Sequence, residues 1–364
     1  MTIADITLHR LKLPLTTPYH VSYRVYEDFD PIIAEIRDGH GRVGWGEGHV
    51  SPGYSAETVD SGWAFCRAHA ERMTGLEIEA AKAQVLAHVA ESPVATSVLV
   101  SALEMLEGNP RLDIGTRATL PLLTPFHATA FEDIPPEVEA RLKEGFATLK
   151  VKVGKDVDSD LARVAAVQAA AGARATIRLD ANRGFSKDDG CRFAASLDPA
   201  GIELFEQPCE ASDWDANGAV AAVSNVPVML DESIFGVDDI ERAANIDGIG
   251  FVKLKLKKLG GIERLHAALR LIRRLGMEPV LGDGTSADIC CWMEACVAID
   301  TITNAGEFNG FLKPVVRLFA VPMNFTDGAL HLDPGFKPEI DRDVMDAHLV
   351  ARERISHGAR AAAG

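Results

Sequence analysis

The sequence predicts an α/β protein, a closed parallel (β/α) barrel preceded by a small α+β domain. Three observations carry that reading. From Thr119 onward, apolar β-like runs recur at 119–124, 147–153, 175–180, 202–206, 227–231, 250–256, 278–282 and 302–306, with amphipathic stretches between them. Five charged pieces end successive runs: Lys150-Val-Lys152, Leu179-Asp180-Ala-Asn182, Phe205-Glu206-Gln-Pro208, Leu230-Asp231-Glu-Ser233 and Lys253-Leu-Lys255. Their spacing, about 25 residues, is the length of one strand–helix unit. Ahead of Thr119 the order differs, with strands first and helices after, which suggests a separate α+β unit. An open doubly wound sheet is the alternative, but it would gather its acids at one switch point rather than on consecutive strands.

Residues 3–14 alternate roughly as a strand, and Thr16 to Asp30, rich in polar and aromatic residues, looks like a loop. Pro31–Ile36 and Arg42–Trp45 read as a hairpin around Asp38-Gly39-His40-Gly41. A second loop runs from Gly46 to Tyr54, and helices are expected near 56–73, 77–91 and 94–107. Ser186 is placed to N-cap a helix. After Gly261, the residues Ile262, Leu265, Leu269 and Ile272 share one helical face that Gly276 ends. From about Ala320 the rhythm stops. Turns at Asp327-Gly328 and Pro334-Gly335 suggest that 320–364 leaves the barrel (118–319) and returns to the N-terminal domain (1–117), with Ala351–Gly364 fraying at the end.

The 364 residues are 47% hydrophobic and 25% charged, which suits a soluble enzyme with a large core. A formal net charge of −16 argues against nucleic acid or an anionic membrane surface as partner. No apolar run is long enough to span a membrane. The start, Met1-Thr-Ile-Ala-Asp-Ile-Thr, lacks the basic and apolar regions of a leader. The six cysteines show no C-x-x-C and no zinc spacing, as expected of reduced thiols in the cytoplasm.

On a strand, residues i and i+2 face the same side. Lys150 and Lys152 therefore share a face, with Val151 and Val153 opposite; Lys253 and Lys255 do the same. On an exposed edge strand such lysines would simply be solvated, but a closed barrel has no such edge. Asp180, Glu206 and Asp231, taken singly, read as helix caps or solvated loop residues. Together on consecutive strands they converge on one ring, where their repulsion demands a cation. Hard carboxylate oxygens at an open site suit Mg²⁺. Such a metal stabilises the enediolate formed when a proton α to a carboxylate is removed. A lysine that removes it must be neutral, and neighbouring cations would lower its pKa.

These pieces resemble the enolase superfamily, and within it the muconate lactonizing enzyme (muconate cycloisomerase) subgroup, of the mandelate racemase/muconate lactonizing enzyme-like type. Lys150-Val-Lys152 is similar to that subgroup's K-x-K, the three acids to its metal ligands, and Lys255-Leu-Lys-Lys-Leu-Gly260-Gly261 to its K-x-x-K-x-G-G. Gly44-Trp-Gly-Glu47 and the stretch from Asp327-Gly328 to Pro334-Gly335 extend the likeness to both ends. The resemblance implies a modified (β/α)7β TIM-type barrel under an α+β capping domain built from the N-terminal region and a C-terminal segment. It implies one Mg²⁺ per subunit, replaceable by Mn²⁺, on Asp180, Glu206 and Asp231. Lys152 and Lys255 would be the acid/base pair, with Lys150 polarising the site. Capping loops near 16–30 and 46–56 would bring Tyr19, His20, Tyr23 and His49 to a small carboxylate substrate, and Asp283 and Glu307 would meet it from the barrel. Many relatives carry an acid a few positions after Asp283 that is not found here; Asp283 would substitute for it or meet a substrate cation. The Asp-x-Asp that dipeptide epimerases use for an amino group is absent, which lowers that activity. The implied reaction is racemisation, epimerisation or muconate-type cycloisomerisation, with elimination by a dehydratase or o-succinylbenzoate synthase-like lyase as the alternative. A homo-oligomer is expected.

Overall fold

The chain begins with strands β1 (Ile3–Leu11), β2 (Leu13–Val21), β3 (Arg24–Phe29), β4 (Pro31–Asp38) and β5 (Val43–His49), followed by helices α1 (Val59–Met73), α2 (Ile78–Leu86) and α3 (Pro93–Glu107). The structure is a computed structural model that describes residues 1–21 and 24–356. The β4–β5 hairpin forms where expected, because the Asp38 carboxylate accepts from the His40 and Arg42 amides at 3.0 and 2.9 Å. The described residues of the stretch from Thr16 to Asp30 are not a loop. They belong to an antiparallel ribbon in which Leu13 opposes Phe29 and Tyr19 opposes Tyr26, with a register irregularity between Pro14 and Tyr19. Gly46 to His49 also continues β5 instead of leaving it.

That continuation has a steric reason. Gly44, Gly46 and Gly48 alternate along one face of β5, and α3 lies directly on them. A Cβ on Gly44 would sit 2.0 Å from the Ala102 carbonyl oxygen, and one on Gly46 would sit 2.0 Å from that of Val98. A strand without side chains on this face lets a helix backbone approach closely.

The barrel alternates strands and helices: β6 (Ala118–Pro121), β7 (Thr124–Phe126), α4 (Ile134–Lys143), β8 (Thr148–Lys152), α5 (Val157–Ala171), β9 (Thr176–Asp180), α6 (Lys187–Ser196), β10 (Ile202–Glu206), α7 (Trp214–Val223), β11 (Val228–Leu230), α8 (Val237–Ala243), β12 (Ile249–Leu254), α9 (Leu256–Leu259), α10 (Ile262–Arg274), β13 (Glu278–Leu281) and α11 (Asp288–Ala298). Strands β7 to β13 form one parallel sheet in sequence order. Two runs depart from expectation. The run at 119–124 is split: β6 turns away to pair with the C-terminal part, and only β7 joins the barrel. The run at 302–306 is not a regular strand, yet it closes the ring: Gly306 N donates to Pro121 O and Glu307 N to Leu281 O, both at 2.8 Å. Ser186 caps α6 by accepting from Asp189 N at 3.2 Å, and the apolar face of α10 is fully buried. Leu204, Met229 and Val280 fill the barrel axis, while Val151, Leu179, Leu230 and Val252 pack outward with the surrounding helices.

The chain ends with β14 (Asn324–Thr326), β15 (Ala329–Leu332), α12 (Arg342–Ala347) and β16 (Leu349–Ser356). The hairpin turn between β14 and β15 is Asp327-Gly328, both with positive φ. Ala351 to Ser356 does not fray but pairs with β1 as an outer strand of the sheet β16-β1-β4-β5; residues 357–364 lie outside the described residues. Arg342 on α12 holds the buried Glu35 of β4 with two hydrogen bonds of 2.6 and 2.8 Å. Two buried glutamates fasten cap to barrel. Glu47 accepts from the amides of Ile289 and Cys290 at the start of α11, and Glu104 from those of Ile262 and Glu263 at the start of α10. All six cysteines are free thiols. No described helix is long and apolar enough to cross a membrane.

Gly46→Ala should therefore lower stability by roughly 1–3 kcal/mol or prevent folding, since the new methyl overlaps a helix backbone that cannot yield cheaply. Gly39→Ala, in the hairpin turn with no heavy atom near the added Cβ, should leave the melting temperature almost unchanged. Equal melting temperatures for both variants would contradict this packing.

Candidate active site

Strand register places three of the charged residues in one row. Lys152 on β8 is level with Asp180 on β9, and Asp180 is level with Glu206 on β10. Asp231 follows β11 directly, Lys253 lies on β12, and Lys255 is the N-cap of α9. All are buried except Lys152, whose side chain is 33% exposed against 4% for Lys150. Lys152 is thus the member of its pair that an incoming molecule can reach.

Lysines and acids neutralise one another here. Lys150 Nζ lies 2.9 Å from Asp180, 2.8 Å from Glu206 and 2.7 Å from Glu307. Lys152 pairs with Asp180 at 2.6 Å. Lys253 bridges Glu307 at 2.6 Å and Glu206 at 3.2 Å. Lys255 and Lys258 both lie 2.8 Å from Asp231. Burial penalises every charge in the set, but the partners decide the outcome. Beside these lysines Asp180 and Asp231 are held below the usual carboxylate range and Glu307 down to about 2, whereas burial and the neighbouring Asp180 push Glu206 up. Lys152 and Lys255 are not lowered as expected. Burial opposes their charge, yet the carboxylates nearest them, Asp180 and Asp231, hold both above the ordinary lysine value.

Lys150, Lys152, Lys253, Lys255, Asp180, Asp231 and Glu307 open into a cavity of about 50 Å³ at the mouth of the barrel, bounded by Tyr19 and Tyr54 of the cap. Residues 133–344 match the family model described as enolase C-terminal domain-like. The chain belongs to that family. Among proteins similar to this enolase-family chain, an N-succinyl-L-Arg/Lys racemase from Bacillus cereus is 26% identical over 98% of this chain and 100% of its own length. An L-Ala-D/L-Glu epimerase from Bacillus subtilis is 28% identical over 78% of this chain and 81% of its own. The fold is shared with the crystal structure of a dipeptide epimerase from Cytophaga hutchinsonii complexed with Mg and a dipeptide, at a TM-score of 0.89 and 22% identity over 98% of this chain and all of that one.

The superfamily implies a divalent metal, and the donor set of this enolase-family chain suits one. Three hard carboxylate groups sit on adjacent strand ends. Glu206 Oε2, although near Lys150, has no aligned hydrogen-bond donor. Among the described residues, however, no three acidic, histidine or cysteine side chains already stand together as a coordination sphere; the positive charge that the acids need comes from lysines.

The structure brings Lys150, Lys152, Lys255, Asp180, Asp231, Glu307, Asp283 and Tyr19 to this cavity, with Glu206 just beneath it on Lys150. Asp283 has no capacity left for a substrate cation. It pairs with Lys257 at 2.7 Å and accepts from the Thr285 and Ser286 hydroxyls, each at 2.8 Å. Glu307 is likewise taken up by Lys150 and Lys253. His49 does not line the cavity; it packs against Tyr26 and Phe29, ring centres 5.5 and 5.0 Å away, and burial lowers its pKa to about 3. Tyr23 and the side chain of His20 lie outside the described residues.

Three participants escaped the sequence reading. Tyr54 donates to Asp231 at 2.9 Å and accepts from Lys255 at 3.0 Å, with its ring beneath that ammonium. Asn182 accepts from Lys152, and Lys258 from the K-x-x-K piece holds Asp231. Asn182 was visible in Leu-Asp-Ala-Asn as a second polar group; nothing in the sequence marks Tyr54.

Glu307→Gln should cost roughly 3 kcal/mol in denaturant unfolding, because two buried ammonium groups lose a shared counter-charge. A variant as stable as the parent would show that Glu307 does not hold this network together.

Proposed function

We propose that this protein is a Mg²⁺-dependent racemase or epimerase that removes the proton α to a carboxylate and returns one to the opposite face. The observation that carries this reading is that Lys152 and Lys255 border one cavity from strand ends separated by the acid-bearing strands β9, β10 and β11. Relatives that align with most of the chain and are named racemase or epimerase support it.

Lys152 serves as base toward one enantiomer and as acid toward the other, and Lys255 does the reverse. Asn182 aims the Lys152 ammonium, and the Tyr54 hydroxyl positions Lys255 against Asp231. Lys150, buried and already used to carboxylates, takes the substrate carboxylate's negative charge. Held by Asp180, Glu206 and Asp231, Mg²⁺ would stabilise negative charge on the substrate and take up the carboxylate charge that now keeps the two lysines protonated. Elimination by a lyase would start with the same proton abstraction but would need only one lysine as base.

In D₂O, both enantiomers of an accepted N-acyl amino acid should exchange the α-proton without forming an alkene. Alkene formation would instead assign a lyase. Lys152→Ala and Lys255→Ala should each lower racemisation by roughly 10²–10⁴-fold, the usual worth of a general acid/base, in proteins that still fold, as circular dichroism would show. Full activity in either variant would refute the two-base scheme. Dialysis against a chelator should abolish exchange and added Mg²⁺ restore it; exchange that survives without metal would mean the acid ring has been misread.

A further inference from the structure

One ammonium at the mouth of the barrel stands outside the network. Lys313 follows the 3₁₀ turn Gly310–Leu312, just beyond Glu307. Its Nζ donates to Asn309 Oδ1 at 2.9 Å and lies 4.7 Å from the centre of the Tyr19 ring. The Asn309 amide is oriented by the Leu123 carbonyl, which accepts from its Nδ2 at 3.0 Å, so the oxygen faces the lysine. Among the described residues Lys313 has no ion pair. The acids within its field are committed elsewhere: Glu307 to Lys150 and Lys253, Asp283 to Lys257, Glu144 to Arg141. Burial pushes the Lys313 pKa down to about 8. A largely buried ammonium without a counter-charge is costly, and an anion placed on it would relieve that cost.

Its position suggests where that anion comes from. The lysine-lined cavity, about 50 Å³, is small. A second cavity of about 310 Å³ adjoins it, and Tyr19 borders both. Lys313 lines the outer cavity with Thr16, Thr124 and His127. It also reaches the inner one, since a Cβ on Gly284 there would lie 3.3 Å from Tyr19 Oη and 3.6 Å from Lys313 Nζ. A substrate held by its α-carboxylate must extend past this boundary.

We propose that Lys313 is a specificity-determining residue that binds a second carboxylate, carried by the substrate beyond its reacting carbon. The inference rests on the α-proton-transfer reading and narrows its substrates to dicarboxylates, such as amino acids acylated by a dicarboxylic acid. A dipeptide's free ammonium would meet the Lys313 ammonium here, and the acids that act on Lys313, Asp283 and Glu307, are already paired with other lysines.

The test uses N-succinylglycine and N-butyrylglycine, which differ by a carboxylate in place of a methyl group. Each is titrated calorimetrically into the Mg²⁺-loaded protein, and α-proton exchange in D₂O is followed in parallel. The succinyl compound should bind tighter by roughly tenfold or more, the worth of one charge-assisted contact. Lys313→Met should erase that preference by weakening the succinyl compound alone, and Lys313→Arg should keep most of it. Equal affinity for the two compounds, binding of neither, an unaltered preference in Lys313→Met, or equal weakening of both would overturn the proposal. Preferential binding without any exchange would sink the proton-transfer reading while leaving the role of Lys313 standing.

Discussion

Everything at the mouth of this barrel depends on carboxylates that cannot be buried together unless positive charge is interleaved with them. Three successive parallel strands lead into an acid; the register leaves Asp180 level with Glu206 and Asp231 two residues beyond the partner of Glu206, Met229. Two acids a few ångströms apart in a medium of low effective dielectric repel by several kcal/mol. Lysines on the flanking strands β8 and β12 meet that demand from both sides. The same lysines are thereby available to chemistry, because side chains that balance buried acids necessarily point into the site. In the proposed reaction, structural need and catalytic use coincide in one set of residues.

The cap owes its place to a different device. Among the described residues it shares no continuous sheet with the barrel, so its position is fixed by packing and by backbone amides that need acceptors. The glycine face of β5 lets α3 settle directly on the strand, and Glu47 and Glu104 reach from the cap to the first turns of α11 and α10. Each carboxylate satisfies amides that a helix start leaves unpaired. Both are nonetheless raised to about 7, chiefly by burial. These contacts secure Tyr54, a few residues beyond Glu47, against Asp231 and Lys255.

The barrel and its five charged pieces were legible because each is a local pattern: apolar runs of strand length, acids or lysines at their ends, helical faces between them. Elements that depend on a distant partner were not. The ribbon β2–β3 has too little apolar alternation across Thr16-Thr-Pro18 to announce itself. The fate of 119–124 is decided by Pro121 and by a partner strand two hundred residues later. The closing segment at Gly306 and Glu307 is held by isolated hydrogen bonds instead of a regular ladder. Within the site, Asp180, Glu206, Asp231 and the lysines could be read from their spacing. Tyr54 could not, since only folding brings it to Lys255. Nor could the saturation of Asp283, which requires knowing that Lys257, Thr285 and Ser286 all turn toward it. Lys313, after a short turn, looks in sequence like any solvated lysine.

The base of the ribbon is fastened to the segment that carries Lys313. The Thr16 amide donates to the Lys313 carbonyl at 2.9 Å, and the Val315 amide to that of Pro14 at 2.8 Å. Tyr19 and Lys313, although almost three hundred residues apart in sequence, therefore belong to one hydrogen-bonded corner. For anyone redesigning this scaffold, that corner is the unit of exchange. A ribbon transplanted from another protein without its matching segment after the eighth run would arrive with its register unsupported, and the aromatic wall and the ammonium beside it would be lost together.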